Sequence, residues 1–312
     1  MHIRILLLMS IFLIQTSYSL KPAYSITNPS SPVTTTAIPS FTAVNIIGNM
    51  NVNLHTGYRK PALILMGDPN TLKQVKVTVA QGVLFLSLKD NQRPCCTPIS
   101  VDIRTRYLNG LVYQGNGSIT GQNLRANLEQ VRIDNQGTTI LKGTIRLGDI
   151  TVSGRGYTEI SGVVGPHLRV HLSGPAKLRL MGVASLRHLE MKDHSWFSLS
   201  WVKSPSLILC ASEYAYIELA GIVNKLDAQL WNSAQLNARY LRARRAYVKT
   251  HDNSIAKIAT TEHQHTLATD ASDIQFYNLP EMKTDFMAFD GAVLDMRAFN
   301  TPFVEEPTPY NY

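Results

Sequence analysis

The chain has 312 residues, 44% of them hydrophobic and 17% charged, with a formal net charge of +8 and a pI near 9.4. That hydrophobic share is ordinary for a folded protein and excludes a chain that is mostly disordered. The positive balance favours anionic surfaces as partners, but no nucleic-acid motif accompanies it. No P-loop, dinucleotide fingerprint, HExxH or nucleophile motif is present, which argues against the commonest enzyme classes.

In chain order, residues 1–19 read as a secretory signal peptide. Arg4 makes a basic start, Ile5 to Ile14 an apolar run too short to span a bilayer, and Ser17-Tyr18-Ser19 a small-residue cleavage site. No second apolar run of membrane length follows, so the processed chain is expected to have no membrane span and to be exported to the periplasm, the cell surface or the medium. Residues 20–40, rich in Ser, Thr and Pro, read as a linker. Short alternating runs then begin: Ala43–Ile46, Asn51–Leu54, Ala62–Met66, Val75–Val79, Val83–Leu88 and Ile99–Ile103, punctuated by Gly48, Gly57, a polar break at Gly67–Asn70 and a turn at Gln81-Gly82. This is strand chemistry with glycine at the tight places, and residues 41–105 are expected to form a strand-rich N-terminal cap. Of Cys95, Cys96 and Cys210, one of the adjacent pair could bond Cys210 and leave the other free, since an odd count cannot close completely within one chain, and adjacent cysteines match no zinc spacing.

Beyond the cap the chain repeats itself. Small residues recur at Ala176, Ser195, Ala215, Ala234, Ser254, Ser272 and Ala292, with gaps of 19, 20, 19, 20, 18 and 20 residues. Two places after each stand Leu178, Phe197, Ile217, Leu236, Ala256, Ile274 and Leu294, and alternate positions on both sides of each corner are apolar or small. Looser corners are read at Gly117, Thr138 and Thr158, each followed two places on by isoleucine (Ile119, Ile140, Ile160). A period near 20 residues is too short for a helical hairpin and fits one coil of a β-solenoid. The expectation is an all-β fold: a solenoid of about ten short coils over residues 106–300, followed by a loose tail at 301–312.

Phe41 to Lys89 carries the order F-x-A-V-x-I-x-G, V-x-L, G-D-x-N-x-L, V-x-V and G-x-L-x-L-S-L, then Gly-rich coils such as Gln114-Gly115-Asn116-Gly117 and Ser153-Gly154-Arg155-Gly156. The stretch from Phe41 to about Gly182 resembles the bacterial family called the putative autotransporter adhesin head GIN domain. The resemblance implies a secreted, right-handed parallel β-helix-like fold and an adhesive role, and brings no catalytic residues with it. Downstream, Lys192-Asp193-His194-Ser195 and its successors depart from the glycine corners.

Three features invite functional readings. Two places before each corner stand Gly115, Gln136, Gly156, Gly174, Asp193, Glu213, Asn232, Asp252, Asp270 and Asp290, a ladder that turns acidic. Stacked coils would set neighbouring carboxylates about 4.8 Å apart. Asp and Asn tolerate tight-turn backbone and bond their own turn amides. Paired acids could also hold a cation or hydrolyse a polysaccharide, with Asp252, Asp270 and Asp290 as the acids used. The basic run Arg239, Arg242, Arg244 and Arg245, with Tyr240 and Tyr247 interleaved, is the densest positive patch and suits sulfate or phosphate groups. His263-x-His265 and the tryptophans Trp196, Trp201 and Trp231 read more simply as surface and packing residues. The sequence therefore points to an exported, non-enzymatic binding or adhesion protein whose solenoid face meets an anionic glycan, an envelope component or a protein partner. A polysaccharide-degrading enzyme and a structural envelope protein, including a homo-oligomer, remain as alternatives. No catalytic residue, cofactor, metal ligand or nucleic-acid partner is expected.

Overall fold

A computed structural model describes residues 33–88, 99–277 and 283–296. Residues 1–19, expected to be a signal peptide, Cys95, Cys96 and the expected tail at 301–312 lie outside the described residues. The chain begins with β1 (Val33–Ala37), β2 (Ala43–Ile47), β3 (Met50–His55) and β4 (Ala62–Met66). Next come a four-residue helix α1 (Pro69–Leu72), β5 (Val75–Ala80), β6 (Val83–Leu88), β7 (Ile99–Arg104) and β8 (Gly110–Gly115). Asp68 caps α1, its side chain accepting from the amides of Asn70 and Thr71, so the polar break seen in sequence becomes one helical turn. Val33–Ala37, inside the Pro-rich stretch, lies antiparallel against β4 with every residue exposed.

Long bent strands then stack coil upon coil: β9 (Ile119–Asn135), β10 (Thr138–Ser153), β11 (Tyr157–Leu172), β12 (Lys177–Met191), β13 (Trp196–Ala211), β14 (Tyr216–Leu230), β15 (Gln235–Thr250) and β16 (Ile255–Thr269). A last coil is split into β17 (Asp273–Phe276), β18 (Lys283–Phe289) and β19 (Ala292–Asp295). Each long strand pairs in parallel with the next. The result is an all-β solenoid of about nine turns, one fewer than the repeat count suggests. The N-terminal strands share the stack: β2 lies parallel to β8, and β3 parallel to β7 and β9. The described residues all belong to one compact unit.

Strict alternation explains the interior. Leu178, Phe197, Ile217 and Leu236 are register partners on consecutive coils, each no more than 1% exposed. Burying each of these side chains stabilises by roughly 1.5–3 kcal/mol. The corner residues Ala176, Ser195, Ala215, Ala234, Ser254 and Ser272 are buried on the inside of a sharp bend, where only a small side chain fits. Two early corners fall elsewhere than the sequence suggested. Tyr157 pairs with Lys177 and Thr139 with Ile119, which puts the equivalents of Ala176 at Gly156 and Gly137. Thr158 is thus two places late and Thr138 one place late. A one-residue slip flips facing, so Ile140 points outward while Leu141 is buried.

Candidate functional site

The acids of the ladder stand on left-handed backbone. Asp193, Glu213, Asn232, Asp252, Asp270 and Asp290 all have φ between 57° and 64°, a region that Asn and Asp enter more readily than other side-chain-bearing residues. Several carboxylates reach back one coil. Asp193 Oδ2 accepts from the Gly174 amide at 2.7 Å and Asp252 Oδ2 from the Asn232 amide at 3.0 Å. Asp270 Oδ2 accepts the Thr269 hydroxyl at 2.9 Å and lies 3.5 Å from the Asp252 amide nitrogen. Asp252, Asp270 and Asp290 are exposed at the turn edge. With the corners reassigned, Asn135 and Gly154 replace Gln136 and Gly156 in this column.

The basic run of β15 is spread around its coil. Arg239 lies over the rings of Tyr240 and Tyr277, 5.7 and 4.5 Å from their centroids. Arg242 is exposed on the next face. Arg244 is exposed and its Nε pairs with a Glu262 carboxylate oxygen at 2.5 Å. Arg245 sits beyond a register irregularity, beside His263 of the next coil and Lys225 of the previous one.

A different part of the surface forms a cavity. A groove of about 870 Å³ lies across the outer face of β8 to β13, lined among others by Arg132, Asp149, Arg169, His171, Arg187 and His188. Its residues come from two outward columns. In register, one column runs Gln130, Asp149, Arg169, and the other Val112, Arg132, Thr151, His171, Glu190, Cys210. His188 pairs with Ile208 and extends the first column. The backbone bulges here, with pairing shifting between Gly165 and Leu168 and between Ala184 and His188. Such shifts re-aim side chains, and Arg187 sits within one of them.

Charge is unevenly satisfied in the groove. Arg169 forks onto Asp149 with two bonds, Nε to Oδ1 at 2.6 Å and Nη2 to Oδ2 at 2.8 Å. Glu190 accepts from Lys192 at 2.9 Å through Oε1 and faces His171 Nδ1 at 3.2 Å through Oε2. The bond from Lys192 is the main reason its carboxyl sits below the usual range. Arg132 and Arg187 have no ion-pair partner among the described residues, and the buried Nε of Arg187 finds no hydrogen-bond acceptor. A buried guanidinium nitrogen without a partner is costly and marks a place where an acceptor fits. Beside the groove, Cys210 is a free, half-buried thiol, and burial pushes its pKa up. These groove residues were not singled out from sequence. Their signal lies seven and five places before the corners, at Asp149 and Thr151, Arg169 and His171, His188 and Glu190.

The class is thus a β-solenoid with a groove on its outer face that carries Arg132, Arg169 and Arg187. Residues 40–187 match the model of the family described as "Putative auto-transporter adhesin, head GIN domain". The groove residues from Val112 to Arg187 fall inside that span, and His188 and Ile208 lie beyond it. No curated relative matches the chain. Among solved structures, a putative adhesin from Parabacteroides distasonis is similar at 14% identity, over 85% of this chain and 97% of that one, with a TM-score of 0.44. A putative lipid binding protein from the same species is 14% identical over 86% and 98%, with a TM-score of 0.42. A putative adhesin from Bacteroides fragilis is 14% identical over 85% and 96%, with a TM-score of 0.33. No helix among the described residues is long and apolar enough to cross a membrane.

Proposed function

We propose that this chain is an exported binding protein of the cell envelope or surface, and that its groove holds the anionic groups of a glycan. The adhesin-type family supports the coarser role. The observation that carries the finer one is Arg187, unpaired in the groove with a buried Nε, and close in the same cavity to Arg132 and Arg169. Guanidinium groups recognise sulfate, carboxylate and phosphate through planar, paired donors. The basic run on β15 is a second cationic surface, but Arg239 and Arg244 already have partners there. The turn amides that occupy Asp193 and Asp252 support a structural use of the ladder, so a polysaccharide-degrading role for Asp252, Asp270 and Asp290 is the less favoured reading.

The test is retention of the purified chain on an immobilised sulfated polysaccharide, compared with an Arg132→Ala/Arg187→Ala variant. A charge-assisted hydrogen bond contributes about 1.5–3 kcal/mol, so the double variant is expected to bind at least ~100-fold more weakly. Retention should also fall as salt screens the attraction. Undiminished retention of the variant would remove the groove from the account.

A further inference from the structure

We propose that His171, His188 and Glu190 form a site for a divalent transition ion of the zinc type at one side of the groove. His188 and Glu190 are two apart on β12 and so share its outer face, while His171 on β11 is the register partner of Glu190. Their candidate ligand atoms all lie within 4.8 Å of one another. The two imidazole rings stand 5.5 Å apart, tilted by 45°.

One ligand pair already stands close to the spacing of a coordination polyhedron, and the third lies within 4.8 Å of both. Zinc binds imidazole nitrogen and carboxylate oxygen at about 2.0–2.2 Å, which makes the edge of its tetrahedron roughly 3.3–3.6 Å. The observed separation of His171 Nδ1 and Glu190 Oε2 is 3.2 Å. Lys192 holds the other carboxylate oxygen and leaves Oε2 turned toward His171, the kind of outer contact that orients a ligand. The strand positions between and beside the three are core: Val170, Leu172, Leu189 and Met191 are each no more than 3% exposed. The backbone carrying the ligands is therefore fixed by packing, as a precise site requires.

The donor set also selects the ion. Two imidazoles and one carboxylate suit zinc, cobalt, nickel or copper, whereas calcium and magnesium take oxygen ligands in larger number. Three protein ligands leave a fourth tetrahedral position, and it opens on a groove that carries Arg132, Arg169 and Arg187. Those cations oppose a bare dication and favour an ion whose fourth ligand is an anion. The site does not depend on the glycan reading, because the ligands are separate from the arginines.

The experiment uses the untagged purified chain, stripped with a chelator and titrated with zinc by calorimetry and with cobalt by visible absorption. Binding of one zinc ion per chain is expected, with tetrahedral cobalt bands, and neither calcium nor magnesium should compete. His171→Ala and His188→Ala should each weaken zinc by roughly ten- to a hundredfold or more, judging from what even outer contacts are worth, and Glu190→Gln should weaken it too. His251→Ala, elsewhere on the solenoid, should change nothing. All three ligands face solvent, so circular dichroism should show the variants folded. Absence of stoichiometric zinc in the folded chain, or zinc binding that survives His171→Ala/His188→Ala, would overturn the site. A chain that binds zinc but ignores the sulfated polysaccharide would sink the glycan reading alone. The converse result would sink this one alone.

Discussion

Asp252 shows what the turn position of the ladder asks of a single residue. Its φ of 59° is reached by glycine without cost, by Asp and Asn with little, and by β-branched residues with strain. Its carboxylate also takes the amide of Asn232 on the coil below. Asp252→Gly should therefore change stability by only a few tenths of a kcal/mol, and Asp252→Val should cost about 1–3 kcal/mol. Chemical denaturation of the two variants checks this ordering. Gly221 makes a sharper case, because it combines a φ of 131° with no room. A Cβ there would run into the backbone carbonyl oxygen of Val202 on the previous coil. Gly221→Ala is expected to destabilise by about 2–4 kcal/mol, read by the same measurement.

Residue chemistry also decided what could be read in advance. The turn acids were legible because Asp, Asn and Gly at one recurring position encode one backbone conformation. Arg132, His171, His188 and Glu190 were not, because their columns mix acid, base and neutral residues without a pattern. Only the register brings them together, and two bulges beside the groove alter that register locally. Asn135, Gly137, Gly154 and Gly156 offer several equivalent corners in a short span, which is how the early frame slipped by one residue at Thr138 and carried Ile140 to the wrong face.

At the scale of the element, each coil is one strand-rich turn that cannot bury its apolar side alone and depends on the coils above and below. The middle of the stack does this with large side chains, and the end does it with small and polar ones. Phe197, Leu199, Leu207 and Leu209 fill β13, whereas β16 buries Thr260, Gln264 and Thr266. Gln264 Nε2 reaches Thr266 Oγ1 at 3.5 Å within this coil. Less apolar burial per coil means less stabilisation. Hydrogen exchange followed by mass spectrometry should show β16 to β19 opening before β11 to β14, since local opening follows local burial. Uniform protection along the stack would contradict that gradient. The repeat itself was plain in the sequence because strand alternation and a 20-residue period survive even where the interior turns polar.

At the scale of the whole molecule, the solenoid converts a linear repeat into a long rigid surface on which residues some 20 apart become neighbours. A net charge of +8 favours anionic partners in general, and the proposed function assigns their contact to the groove. Two cationic regions are thereby in competition as the contact, the groove on β8 to β13 and the run on β15. The most direct measurement is equilibrium binding of the full chain to a sulfated polysaccharide and to its desulfated counterpart, with Arg187→Ala and Arg244→Ala measured beside it. The account predicts binding to the sulfated chain alone, weakened about tenfold or more by Arg187→Ala and little changed by Arg244→Ala. Equal binding to both polysaccharides, or a loss confined to Arg244→Ala, would contradict it.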